Sequence, residues 1–212
     1  KDTLTPRHIT SGLMGMPSEG PFMTGIRLPR DLEQITKFHG HFCGGILIGY
    51  RAAKAALERL GSHRAEDEEL IAIVENDSCA VDSVQVLTGC TFGKGNLFFR
   101  DHGKHVYTFA LRPSGRAVRV SRKPGPRLPH DEMLCAPVEQ LFWIEETTIK
   151  LPSPASVRES VACQRCGEPV MDTRTRRRGG KVLCIPCSRR RDKEARRPPL
   201  RNHHQARDAA GA

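Results

Sequence analysis

The chain has 212 residues, enough for one core of about 150 residues with a small satellite and too many for a bare zinc finger. Its 38% hydrophobic and 5% aromatic content, with 19 Gly and 15 Pro, indicates a packed domain diluted by loops and one poorly packing segment, and no apolar run approaches the roughly 20 residues that span a bilayer. The formal net charge of +10 is unevenly placed, because residues 1–150 hold 19 Lys/Arg against 18 Asp/Glu while residues 151–212 hold 15 against 6, so any partner drawn to the C-terminal part is anionic.

Residues 1–25 mix Pro, Gly, Ser and Met without periodicity and read as an irregular N-terminal segment without chemistry. The opening KDTLTPRHITSG has no secretory apolar core, which points to the cytoplasm, although a start on Lys1 leaves a trimmed leader open. A core domain is expected over 26–150. It begins with DLEQITKF, where Leu32, Ile35 and Phe38 recur at helical spacing, and passes through HGHFCGG into a long helix, ILIGYRAAKAALERLG, striped by Ile46, Tyr50, Ala53 and Leu57 and closed by Gly61. Residues 70–76, LIAIVEN, are a continuous apolar run of strand length, expected to be covered on both faces. Asp77 or Ser78 is placed to cap a helix holding Cys79, Val81, Val84 and Leu87 and ending at Gly89. After the turn GCTFGKGN, the runs LFFRD, HVYTFALR and RAVRVSRK predict an antiparallel meander, and residues 131–145, with Leu141, Phe142 and Trp143, predict a last helix. The fold class is α+β, with helices packed on an antiparallel sheet. Residues 151–162 form a linker, 163–188 a four-cysteine module and 189–212 a basic, disordered tail.

Cys163, Cys166, Cys184 and Cys187 follow the spacing C-x2-C-x17-C-x2-C, two close pairs that a short hairpin brings to the corners of the tetrahedron that structural Zn2+ takes. Two local disulfides or a redox C-x-x-C pair are the alternatives, and the double pairing with no preceding βαβ pattern weighs against them. In the core, His39, His41 and Cys43 lie within five residues. An extended segment presents all three on one side and a helix presents two, and imidazole with thiolate suits zinc, iron or copper. Cys43 at the start of the long helix meets the positive end of its dipole, which favours the thiolate and makes it a ligand or nucleophile. A buried cysteine beside two hydrogen-bonded histidines is the structural alternative. Asp77, Cys79, Asp82 and Cys90 fall within 14 residues that also carry Gly89, with Gly93, Lys94 and Gly95 shortly after them, where a strand end, a helix start and a glycine loop leave backbone N–H groups free for a ligand. The spacing is not that of a P-loop, so Lys94 reads as a lid or anion contact. No aromatic residue follows Pro152, so the tail offers weak, salt-dependent, non-specific polyanion binding without base stacking.

HGHFCGG leading into a helix, then DSCAVDSVQVLTGCTFGKGN, the strand set and the C-terminal pair of C-x2-C pairs together resemble the FmdE family of formylmethanofuran dehydrogenase proteins over about residues 31–187. The resemblance implies an α+β core with a metal or ligand site, a homodimer, and an appended zinc-ribbon or treble-clef-like module. The family's pattern falls here on His39, His41, Cys43, Asp77, Cys79, Asp82, Cys90, Lys94 and Asn96. The basic run RRRDKEARR is a departure from the family. On this reading His39, His41, Cys43 and Cys79 hold a second transition metal, zinc or iron, apart from the structural zinc, and Gly89, Gly93, Gly95 and Asn96 contact a cofactor. The expected setting is molybdenum or tungsten oxidoreductase metabolism, with an oxidoreductase partner and a molybdenum/tungsten cofactor, and no membrane contact. If the site is catalytic, a metal-bound water is the nucleophile, Asp77 or Asp82 accepts its proton, and Cys43 or Cys90 is a ligand or redox thiol. A metal- or cofactor-delivery protein without turnover and a zinc-ribbon regulator are the alternatives.

Overall fold

The computed structural model describes residues 22–23 and 26–189; most of the N-terminal segment and all but the first residue of the expected tail lie outside the described residues. The chain divides between Ala155 and Ser156 into two compact units. Among the described residues no helix is long and apolar enough to cross a membrane.

In the first unit, β1 (Phe22–Met23) and β2 (Ile26–Arg27) pair antiparallel. Pro29, whose ring fixes φ, sits at the cap of α1 (Arg30–His39), with Asp31 and Glu33 in the first turn and Lys37 and His39 in the last, both matched to the helix dipole. Leu32 and Ile35 are buried, but Phe38, expected on the same stripe, is 62% exposed. α2 (Gly44–Leu60) starts from Cys43 and ends at Gly61. All five residues of β3 (Leu70–Val74) are buried. α3 (Ala80–Thr88) takes Cys79 as its cap and receives no side-chain cap from Asp77 or Ser78; the Ser78 N–H and hydroxyl donate to Asn76 Oδ1 instead.

The sheet continues with β4 (Leu97–Phe99), β5 (Val106–Leu111), β6 (Arg116–Arg122) and β7 (Phe142–Thr148) in the order β4-β3-β5-β6-β7. Two sequence expectations give way to this topology. LFFRD does not open a meander: α3 crosses over so that β4 pairs parallel with β3, and β3 then separates it from β5, leaving the other pairings antiparallel. Residues 131–145 are not one helix: α4 (His130–Cys135) and α5 (Val138–Leu141) are interrupted at Ala136 and Pro137, and the aromatic and β-branched run from Phe142 pairs with β6 over seven residues.

One face of the sheet, with Val74, Tyr107, Phe109, Val118 and Val120, packs on Leu32, Ile46, Leu47 and Val84 of the helices. Full burial of each such aliphatic or aromatic side chain contributes roughly 1.5 to 3 kcal/mol. On the other face Ile71, Ala110 and Ala117 are covered by Phe98, Ile149 and Leu151.

Among its described residues the second unit has two hairpins, a 3-10 turn at Asp172–Arg174 and a short helix. β8 (Ser160–Ala162) pairs with β9 (Pro169–Met171), and β10 (Thr175–Arg178) with β11 (Lys181–Cys184), before α6 (Ile185–Arg189). Gly179 and Gly180 both take positive φ, the conformation a two-residue hairpin turn demands at both central positions. A loop-borne cysteine pair, a hairpin and a helix bearing Cys187 follow a treble-clef-like order.

Candidate functional site

The core cluster is assembled by the turn between α1 and α2. Gly40 at φ 95° ends α1 in the left-handed region, and Cys43, with extended backbone, starts α2. This places His39, His41 and Cys43 so that one donor atom of each lies within 4.8 Å of the others. His39 Nε2 is 4.0 Å from Cys43 Sγ, and the two imidazole rings are 4.5 Å apart.

Two glycines of α2 then bring α3 against it. A Cβ at Gly49 would meet Ala80 O at 2.1 Å, and one at Gly45 would meet Cys79 Cβ at 2.8 Å. The same position lies 3.5 Å from Cys43 Sγ and 3.6 Å from Cys79 Sγ, so Cys79 stands beside Cys43, although it falls outside the 4.8 Å set. Burial, and after it the neighbouring Cys43 thiol, push the Cys79 thiol above its ordinary value. From the first turn of α3, Asp82 Oδ2 reaches His39 Nδ1 at 2.7 Å, while Asp82 Oδ1 accepts from Gln85 at 3.2 Å. A carboxylate on Nδ1 fixes that nitrogen as the N–H and turns the Nε2 lone pair toward Cys43.

A cavity of about 410 Å³ opens on His39 and is lined by Asp77, Cys79 and Asp82, with Phe92 and Phe99 at its apolar side. The two phenylalanines are 64% and 43% exposed.

The other sequence candidates have partners elsewhere. Cys90 is fully buried and its Sγ donates to Leu70 O; burial pushes its thiol up to about 11. Lys94 Nζ donates to Ala65 O and Glu66 O. Asn96 is fully buried, donating to Asp67 O and Leu70 O and accepting from Thr91 N–H. Gly89 lies where a Cβ would strike Ala65 O at 2.5 Å, Gly95 where it would strike Ala155 Cβ at 2.8 Å, and Gly93 in open space save Thr91 Oγ1 at 4.0 Å. None of these six lines the cavity on His39. Two residues near the cluster carried no sequence signal. His130, in α4, has Nε2 3.2 Å from a Cβ placed at Gly44 and packs edge-on to Phe42 at 5.2 Å. Asn76 lines the cavity and donates to Lys104 O and Tyr107 Oη.

In the second unit Cys163, Cys166, Cys184 and Cys187 place their four sulfurs within 4.8 Å of one another, Cys166 and Cys184 at 3.9 Å. Sulfurs about 2.3 Å from a tetrahedral zinc are about 3.8 Å apart, so this set fits the ion closely. Backbone N–H groups, first that of Cys166, draw the Cys163 thiol down, while burial and the neighbouring thiols push Cys166 and Cys187 up, so the four sulfurs titrate as one interacting set.

Comparison with known proteins agrees with this division. Residues 38–146 match the sequence model of FmdE, molybdenum formylmethanofuran dehydrogenase operon, and residues 158–193 match the prokaryotic dksA/traR C4-type zinc finger. A protein of Archaeoglobus fulgidus named as a probable S-adenosyl-L-methionine-binding protein is 30% identical over 200 residues, covering 76% of this chain; the chain spans only 53% of that relative. The crystal structure of a tungsten formylmethanofuran dehydrogenase FmdE-like protein from Syntrophus aciditrophicus is similar with a TM-score of 0.56 at 27% identity, covering 74% of this chain and 89% of that one.

Proposed function

Because the chain belongs to the FmdE family and carries a C4-type zinc finger behind the family domain, we propose that it is a metalloprotein with two sites of different purpose. The finger holds a structural zinc. The core site of His39, His41, Cys43 and Cys79 takes a transition metal, zinc or iron, or a metal-containing cofactor, in the service of a molybdenum or tungsten oxidoreductase.

The observation that carries this reading is the line Asp82, His39, Cys43. A carboxylate 2.7 Å from Nδ1 and a sulfur 4.0 Å from Nε2 orient the imidazole as carboxylates behind ligating histidines do. Donors around a tetrahedral metal lie about 3.3 to 3.8 Å apart, so closing on an ion requires only a small contraction of the 4.8 Å set. The adjoining cavity leaves an entry for a ligand, as sites that exchange a ligand need and closed structural sites do not. When bound, the metal supplies Lewis acidity or redox chemistry. Asp82 is engaged by His39 and Gln85, so Asp77 is the cavity carboxylate left to accept a proton in a catalytic version. The exposed rim of Phe92 and Phe99 favours the second version, in which the same residues hold cargo that a partner collects without turnover.

Metal analysis of the full chain purified anaerobically tests the reading. About one zinc per chain and about one further metal are expected. Cys43→Ser removes the second metal and keeps the zinc, and Asp82→Asn weakens the second site by about 10- to 100-fold. A wild-type chain that binds one zinc and no second zinc or iron on titration, or a Cys43→Ser chain with both, overturns it.

A further inference from the structure

We propose that the β10–β11 hairpin of the finger is a docking element for double-stranded DNA: a basic two-stranded ribbon that enters the major groove and holds phosphates on both walls without reading sequence. The proposal rests on the finger being folded on its zinc and does not involve the core metal.

Charge identifies the class of partner. Residues 173–189 carry six Lys/Arg and no Asp/Glu. Residues 156–189 hold eight Lys/Arg against three Asp/Glu, so the dianionic centre of zinc on four thiolates still leaves the finger positive. Arg176, Arg177, Arg178 and Lys181 are all exposed, and none of them forms an ion pair among the described residues. Arg176 Nη1 donates to Thr175 O at 2.8 Å and Arg178 Nη1 to Ser188 O at 2.6 Å, neutral acceptors that orient the guanidiniums and leave their charge uncompensated. Arg178 and Lys181 stand directly opposite each other across the strands, a like-charge pair that destabilises the free hairpin and that an anion between them relieves.

Shape selects among polyanions. The pairings Arg176↔Leu183, Arg177↔Val182 and Arg178↔Lys181 put Arg176, Arg178 and Lys181 on one face of the ribbon and Arg177 on the other, because side chains alternate along a strand and opposed residues share a face. The connecting turn is Gly179 and Gly180, without side chains, so the tip is little wider than two backbones about 5 Å apart. The major groove of B-form DNA, about 12 Å wide, admits a two-stranded ribbon between two rows of phosphates. A flat acidic protein surface or a membrane would meet one face of the ribbon only. The major groove of an RNA duplex is too narrow for it, and with no aromatic residue after Pro152 the finger offers no platform for the bases of a single strand. Contacts to phosphate fix position and carry no sequence information.

The test is the fluorescence anisotropy of a labelled random-sequence duplex of about 20 base pairs, titrated with the zinc-loaded full chain between about 50 and 200 mM salt. Expected are sequence-independent binding, a higher affinity for the duplex than for single-stranded DNA, duplex RNA or polyglutamate, and a linear fall of log affinity with log salt of about 0.9 per phosphate engaged. Arg177→Gln should lower that slope by about 1 and the double variant Arg176→Gln, Arg178→Gln by about 2, at unchanged zinc content. A groove requires losses from both faces. The chain ended after Arg189 should bind more weakly and show the same decrements, which separates the hairpin from the basic run that follows it. Cys184→Ser keeps every arginine but not the zinc, and should lose the hairpin's share of the slope. An unchanged slope in the zinc-loaded hairpin variants, a decrement confined to one face, or single strand, duplex RNA, polyglutamate or anionic vesicles bound as tightly as the duplex overturns the proposal. Duplex binding without a core metal would count against the proposed function alone, and two bound metals without duplex binding against this proposal alone.

Discussion

Cys90 shows how burial decides the state of a single thiol. Its Sγ is sealed in the core against Leu70 O and its pKa is raised from about 9 to about 11, so at neutral pH it is a packing thiol and not a thiolate. Tyr107 is raised in the same way, first by burial, to about 12. For both groups the folded state keeps a proton that the unfolded chain releases earlier. Their contribution to stability is therefore complete below pH about 9 and is lost as pH rises through about 11 and 12. The urea midpoint of the core should fall across this alkaline window, by on the order of 2 to 3 kcal/mol for a two-unit shift. Cys90→Ala should make the fall shallower while lowering stability at about pH 8 through the cavity it leaves; an unchanged alkaline slope would show that Cys90 is not the group being titrated. At the proposed metal site, His39, His41 and Cys43 were legible because five consecutive residues carry them. The role of Asp82 toward His39 was not, because the hydrogen bond spans 43 positions and no local spacing records it.

At the scale of elements, the approach of α3 to α2 is what places Cys79 beside Cys43, and it depends on Gly49. A methyl there would lie 2.1 Å from Ala80 O and 2.8 Å from Ala80 Cα, backbone atoms that cannot rotate away. Gly49→Ala should cost about 2 to 3 kcal/mol of unfolding free energy, despite alanine's better helix propensity, and should also reduce binding of the second metal by moving Cys79. Gly125→Ala, with nothing within 4 Å, is the control and should leave the urea midpoint within about 0.5 kcal/mol of wild type. A Gly49→Ala chain as stable as the control would mean that the two helices do not pack this closely. The helix boundaries at Gly61 and Gly89 were readable because helix-ending glycines act within one turn. The strand at 142–148 was not, since Leu141, Phe142 and Trp143 are apolar in either period and only the seven-residue partnership with β6 selects the strand.

Across the whole molecule the two units draw on different sources of stability. The first has a core of many buried aliphatic and aromatic side chains, whereas the apolar cluster of the finger consists of Cys163, Leu183, Cys184 and Cys187 with Val170 against them. So small a cluster cannot offset the conformational entropy of ordering the unit, and the metal supplies the difference. Cys184→Ser should release about one zinc per chain and loosen residues 163–187 in hydrogen exchange. Trp143, which belongs to the first unit, should keep its fluorescence maximum. Retention of zinc in that variant would contradict four-sulfur coordination.

The sequence by itself determined the four-cysteine spacing, the glycine-ended helices, the buried run of β3 and the His39 to Cys43 cluster, because each rests on contacts a few residues apart and on the 3.6 and 2.0 periods of the backbone. Only the tertiary structure decided that β4 runs parallel to β3, that Asp82 orients His39, and that Cys90 and Asn96 face buried backbone carbonyls. Those outcomes depend on which distant segments pack together, and packing sums many weak, non-directional contacts that no local spacing encodes.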